Sequence, residues 1–259
     1  AHLNFHDGKT DVSITHATLC GIDLTGNAGI NHGAYHLEAT PAVKNQDLAA
    51  TLACLSGNRQ IITGRFALNG QLRASGRIGV PLTDTLSGRV SLKSEKGRVL
   101  RFGLMAKLFT LLNVEGLFQG QLPDLEAKGF PYKSAEATAT FDRGILHIAD
   151  GEINSNAMHI FFQGKENLTK KTHDLTIVVA PLKTIDLLVS HIPLVRNVLN
   201  KGLVIYPITV TGTWDKPNLN LVAPDAVGIQ IWGVVVRTLK LPLTILDPLF
   251  SVGKKKSPH

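Results

Sequence analysis

The chain has 259 residues, 44% hydrophobic and 18% charged, which is enough apolar material to bury a sizeable core and too much for a disordered chain. Twenty-seven Lys and Arg against 20 Asp and Glu give a formal charge of +7, a balance that favours anionic partners. The cations are scattered and aromatics make up only 6%, so the dense basic stripe with stacking aromatics that nucleic acid demands is missing, and no run of about 20 apolar residues offers a bilayer-spanning helix.

The 24 glycines and 12 prolines suit many short strands joined by tight turns. The chain opens at Ala1 in a strand-like stretch without a signal peptide, and reads as a fragment or a mature product lacking an N-terminal anchor. Residues 1–97 read as a β-meander. Val12–Leu19, Ile61–Leu68 and Gln71–Ile78 resemble half-buried strands. The turn signals are Gly26-Asn27, Asn31-His32-Gly33, Ser56-Gly57-Asn58 and Asn69-Gly70. The last predicts a hairpin, because Asn and Gly accept the positive φ of a type I′ turn. Cys20 and Cys54 are 34 residues apart. They form a disulfide if their strands are neighbours in an oxidising compartment, or stay buried as small apolar thiols.

Residues 98–222 form a second β region with inserted helices. Leu104, Leu108, Leu111 and Leu112 recur at helical spacing. Beyond Gly129 the alternation is strict: Ala135, Ala137, Ala139 and Phe141 face one way, with Met158, Ile160 and Phe162 a second row and Leu175, Ile177 and Val179 a third. Turns at Gly144, Gly151 and Lys165 are expected to bring these rows side by side. Thr184–Asn200 reads as helix interrupted by Pro193, Val204–Thr211 as strand, and Asp215-Lys216-Pro217 as a turn. Residues 223–259 carry an apolar helix over Ala226–Leu241 and a basic tail. That helix either lies in a membrane interface, with Trp232 and the tail lysines Lys254, Lys255 and Lys256 at the headgroups, or packs across the end of the sheet. Base rates for apolar helices favour packing.

Motifs for catalysis are missing: no GxSxG, Walker A lysine, HExxH or CxxC occurs. The pairs His2/His6 and His32/His36 sit four apart, which in a strand places the rings about 13 Å from each other, too far for one metal. Asp142, Asp150 and Glu152 lie beside glycines and read as turn formers rather than a catalytic carboxylate pair. These readings imply a non-enzymatic protein with no cofactor and no metal.

Over about residues 86–249 the order of features resembles the C-terminal region of AsmA-like proteins, the group containing the AsmA, YhdP and TamB families. The text that carries it runs from Leu86-Ser-Gly-Arg-Val-Ser-Leu through Gly129-Phe-Pro-Tyr132, Phe141-Asp-Arg-Gly-Ile-Leu146 and Gly151-Glu-Ile-Asn-Ser155. It ends on His191-Ile-Pro-Leu194, Val210-Thr-Gly-Thr-Trp-Asp-Lys-Pro217 and Leu239-Lys-Leu-Pro-Leu243. The first 85 residues share only the strand style. The resemblance implies a mainly β fold: an elongated, twisted antiparallel sheet curled into an open apolar groove, with a few short helices. It also implies a periplasmic location, anchored to the inner membrane by an N-terminal segment absent from this chain, and a role in carrying phospholipid between inner and outer membranes. Ala135, Ala137, Ala139, Phe141, Met158, Ile160, Phe162, Leu175, Ile177 and Val179 would then line the lipid groove. Alternation alone fits a closed core as well, and the resemblance tips the reading toward the groove. The competing reading is a periplasmic scaffold or outer-membrane assembly factor whose apolar face meets a protein partner.

Overall fold

The computed structural model describes residues 2–6, 8–56, 62–100, 107–108, 111–112, 129–181 and 205–238. They form a single twelve-stranded antiparallel sheet in which every strand pairs with its neighbours in sequence, and β1 and β12 remain open edges rather than closing a barrel. The strands are β1 (His2–His6), β2 (Lys9–Leu19), β3 (Ile22–Asn31), β4 (Ala34–Asp47), β5 (Ile62–Arg77), β6 (Ser87–Val99), β7 (Phe130–Asp142), β8 (Ile145–Asn154), β9 (Met158–Asn167), β10 (Thr172–Pro181), β11 (Tyr206–Thr213) and β12 (Pro217–Leu221). Two helices are described, α1 (Leu48–Ser56) and α2 (Ile229–Thr238). The expected mainly β, open antiparallel sheet is therefore what the chain forms.

Local chemistry sets the hairpins. Cys20-Gly21, His32-Gly33 and Arg143-Gly144 each hold two successive positive φ angles, the type I′ geometry whose twist matches that of the flanking strands. Two other glycine signals do not turn the chain. Asn69-Gly70 lies inside the 16-residue β5, with Gly70 paired to Val90, and Gly26-Asn27 lies inside β3. At both places the glycine admits a neighbouring strand: a Cβ on Gly70 would sit 2.7 Å from the Arg89 carbonyl oxygen, and one on Gly26 would overlap the Glu38 carbonyl. Gly151 and Lys165 likewise lie within β8 and β9. The chain reverses instead at Arg143-Gly144, at Ser155–Ala157 and at Leu168–Lys171. Register shifts at Ile14/Ala17, Val43/Gln46, Thr63/Arg65 and Ile148/Gly151 mark β-bulges, which bend the strands and increase their twist.

Helix α1 interrupts what the sequence presents as unbroken meander. Asp47 caps it, its Oδ1 accepting the Ala50 N–H at 2.9 Å. Leu48 and Leu52 pack it against Val43, Phe66 and Leu68. The disulfide joins Cys20, in the β2–β3 turn, to Cys54 on this helix, with Cα atoms 5.5 Å apart. Cys54 thus reaches its partner from a helix, not from an adjacent strand. The expected helix over Thr184–Asn200 and most of the leucine-rich segment before Asn113 lie outside the described residues. Of the latter, Leu108 and Leu112 are buried, joined by a Leu112 N–H to Leu108 carbonyl bond of 3.0 Å.

Candidate functional site: an apolar sheet face

Residues paired across antiparallel strands point to the same side of a sheet, so the register assigns each side chain a face. One row runs Leu3–Val12–Ala28–Leu37–Ala74 across β1 to β5. Another runs Gly70–Val90–Ala139–Ile148–Gly164–Leu175–Val210–Leu219 across β5 to β12. Beside it lie Ala137–Gly151–Phe162–Ile177–Ile208–Leu221 and Ala135–Ile153–Ile160–Val179–Tyr206. A single apolar face therefore crosses all twelve strands, about 50 Å at the usual spacing between strands. The reverse face carries polar pairs such as Glu38 with Arg73 at 3.2 Å and Lys93 with Glu136 at 3.0 Å.

The face changes character along its length. Over β2 to β6, α1 covers Val43, Phe66 and Leu68, whereas Val12, Ile14, Leu24, Leu37 and Leu72 are half-buried and join no packed cluster among the described residues. Over β7 to β12 the face becomes a packed core. Met158, Ile160, Ile177, Val179, Ile208 and Val210 are buried, with Leu108 and Leu112 in the same cluster. The reverse face is also covered there: α2 packs Ile231, Trp232 and Val235 against Phe161, Val178 and Ala180.

A small polar group sits within this apolar surface. The buried Ser94 hydroxyl lies 2.8 Å from the Tyr132 hydroxyl, which donates to the Thr63 carbonyl at 2.6 Å. Burial pushes the Tyr132 phenol above its ordinary range, a shift that the Ser94 hydrogen bond opposes. Tyr206, also raised by burial, has no hydrogen-bond partner for its hydroxyl among the described residues.

All ten residues expected in the groove lie on this one face. Ala137, Phe141 and Phe162 are half-buried; Ala135, Ala139, Met158, Ile160, Leu175, Ile177 and Val179 are buried. Val12, Ile14 and Leu72 fall in stretches that the sequence presents as half-buried strands, but the sequence reading places no residue of β2 to β6 in the groove. Glycine punctuation inside β3 and β5 cuts the rows into pieces that look like separate hairpins. Trp232, expected against membrane headgroups, is instead 3% exposed and donates its Nε1 hydrogen to the Pro224 carbonyl at 3.2 Å. The apolar helix thus packs on the sheet, the alternative that base rates favour. Lys254, Lys255 and Lys256 lie outside the described residues.

Of the histidines, His36 lies 3.6 Å from Asp11, His159 3.2 Å from Glu152 and His173 2.8 Å from Glu166. Among the described residues no three His, Cys, Asp or Glu side chains converge as metal ligands, and no helix is long and apolar enough to cross a membrane.

The chain matches the family described as YhdP protein over residues 24–219. No curated protein and no solved structure matches it. The matched span runs from β3 to β12, and so takes in both the uncovered and the packed parts of the apolar face.

Proposed function

Since the chain belongs to the YhdP protein family, a group of the cell envelope within the AsmA-like proteins, we propose that it is a non-enzymatic lipid-carrying module of the bacterial periplasm. Its apolar face holds phospholipid acyl chains on their way between inner and outer membranes. The observation that carries this reading is the part of that face through Val12, Ile14, Leu24, Leu37 and Leu72, which the described residues leave half-exposed beside the patch under α1 and which is continuous by register with the packed rows beyond. A sheet with one apolar side needs a cover, and the described helices leave Val12, Ile14, Leu24, Leu37 and Leu72 half-exposed. Acyl chains supply such a cover by nondirectional burial worth about 0.8 kcal/mol per CH₂. Nondirectional attraction also suits movement, since a chain that slides by one methylene exchanges equivalent contacts.

On this reading the lipid path lies over the half-buried part of the face in β2 to β6 and ends where the face becomes the packed core around Ile160 and Ile177. The headgroup stays in water, beyond the ends of the strands. No bond is made or broken, so the chain needs no catalytic group and no cofactor.

The test is organic extraction of the purified chain followed by lipid mass spectrometry, with native mass spectrometry of the unextracted protein. Co-purifying diacyl phospholipid supports the carrier. A stoichiometric protein partner with no lipid overturns it in favour of an assembly scaffold.

A further inference from the structure

Exposed large apolar side chains gather at one end of the strands. The connections there are stitched to one another by backbone hydrogen bonds: Ile78 N–H to the Gly33 carbonyl, Arg143 N–H to Leu86, Leu168 N–H to Gly144, and Trp214 N–H to Lys171. Side chains add to this. Thr169 donates its hydroxyl to Asp84 Oδ1 at 2.8 Å, so the β5–β6 connection reaches past the β7–β8 turn to the β9–β10 turn. Trp214 donates Nε1–H to Glu166 Oε2 at 2.8 Å, which fixes its indole beside that carboxylate. The result is a continuous, pre-ordered rim. It presents Ile78, Val80, Leu82 and Trp214, with Ile78 62% and Trp214 43% exposed. Together with the cations beside them, these four side chains on a pre-ordered rim offer an interaction surface.

The charge of this rim points to the partner. Arg77, Lys170, Lys171 and Lys216 are exposed there. Three acids share the rim: Asp84, hydrogen-bonded by Thr169, Asp142, which faces Arg143 at 3.1 Å, and the exposed Asp215. With Arg143 the cations outnumber them five to three, so the rim keeps a net positive charge. Single apolar side chains spaced along an edge and interleaved with cations do not form the compact patch that a protein pocket would grip. They match a flat interface of hydrocarbon beneath anionic headgroups, where Trp and aliphatic tips sit at the boundary and lysines meet phosphates.

We propose that this rim docks the protein on the surface of an anionic lipid bilayer, with Val80, Leu82 and Trp214 among the headgroups. The idea deepens the lipid-carrying reading and rests on it for its purpose. Phe141 and Leu146, cross-strand partners on the apolar face just before the Arg143–Gly144 turn, would bring the carried chains to the membrane at this edge.

The experiment is flotation of the full chain with vesicles of phosphatidylcholine alone or mixed with phosphatidylglycerol. Wild type is compared with a Val80→Asp/Leu82→Asp double variant and a Lys170→Glu/Lys171→Glu double variant. All four positions are at the surface, so melting temperatures and co-purified lipid should match wild type. Wild type should float with the anionic vesicles and much less with the neutral ones. Each variant should lower the bound fraction about tenfold or more, since a lysine near an anionic surface contributes about fivefold. Flotation unchanged in both variants, or equal on neutral and anionic vesicles, overturns the docking rim. Normal flotation of a wild-type chain that carries no lipid would leave the rim standing and overturn the carrier reading instead.

Discussion

Ile160 and Phe161 are neighbours in β9, yet they are buried on opposite sides of the sheet. Ile160 is 2% exposed in the cluster with Val179 and Tyr206, and Phe161 is 0% exposed beneath α2. The part of β9 and β10 beneath α2 is therefore closed on both faces, which the half-buried row through Val12, Leu24 and Leu37 is not. Ile160→Asp should cost more than about 3 kcal/mol, because the carboxylate has no partner and no path to water. Phe161→Ala should cost about 3–5 kcal/mol through the cavity it leaves, and should loosen α2 first. Chemical denaturation of both variants, with hydrogen exchange across α2, checks the pair. An Ile160→Asp protein as stable as wild type would show that this part of the face is open.

The Cys20–Cys54 bridge closes a loop of 34 residues, and a cross-link of that span stabilises by about 3–4 kcal/mol in the chain-entropy account. Reduction should lower the melting temperature of the whole chain. It should also increase hydrogen exchange in α1, which the Asp47 cap and the packing of Leu48 and Leu52 also hold. A Cys20→Ser/Cys54→Ser variant should melt with the reduced protein.

Tyr132 and Tyr206 share a burial-raised phenol but differ in partners, so they separate two effects. Tyr132→Phe removes the hydroxyl that bonds the Thr63 carbonyl, while Ser94 keeps its bond to the Arg65 carbonyl at 3.2 Å, and should cost about 1 kcal/mol at neutral pH. Tyr206→Phe removes a hydroxyl that has no partner among the described residues, and should leave stability unchanged or raise it. Both phenols are raised in the fold from an ordinary 10.0. Their stabilising contribution is therefore complete below that pH and declines as rising pH ionises the unfolded chain first. Denaturation midpoints followed upward from pH 9 should fall in wild type, and less steeply in a Tyr132→Phe/Tyr206→Phe protein.

The strict alternation of Ala135–Phe141, Met158–Phe162 and Leu175–Val179 carries enough information to place those strands and their shared face, because a period of two is decisive when one side is apolar. Order of features over a long span also suffices for the family. What the sequence hides has physical causes. Asn69-Gly70 has the composition of a type I′ turn, yet Gly70 is needed where β6 passes too close for a Cβ. Helix α1 follows a capping Asp47 and is built of Leu and Ala, good helix formers, but it is only nine residues long and sits amid strand-like text. The opposite burial of Ile160 and Phe161 depends on α2 arriving from about 70 residues downstream, which no local pattern contains.

Leu37 lies on the half-buried part of the apolar face away from α1, where lipid and not protein is proposed as the cover. It is half-buried between Ala28 and Ala74, so an aspartate there still reaches water but places a charge on the lipid path. The measurement is phospholipid bound per chain for Leu37→Asp and wild type, each with its melting curve. The account predicts a folded variant, within about 1 kcal/mol of wild-type stability, with bound phospholipid reduced severalfold. A folded Leu37→Asp protein that retains the wild-type amount of phospholipid would contradict it.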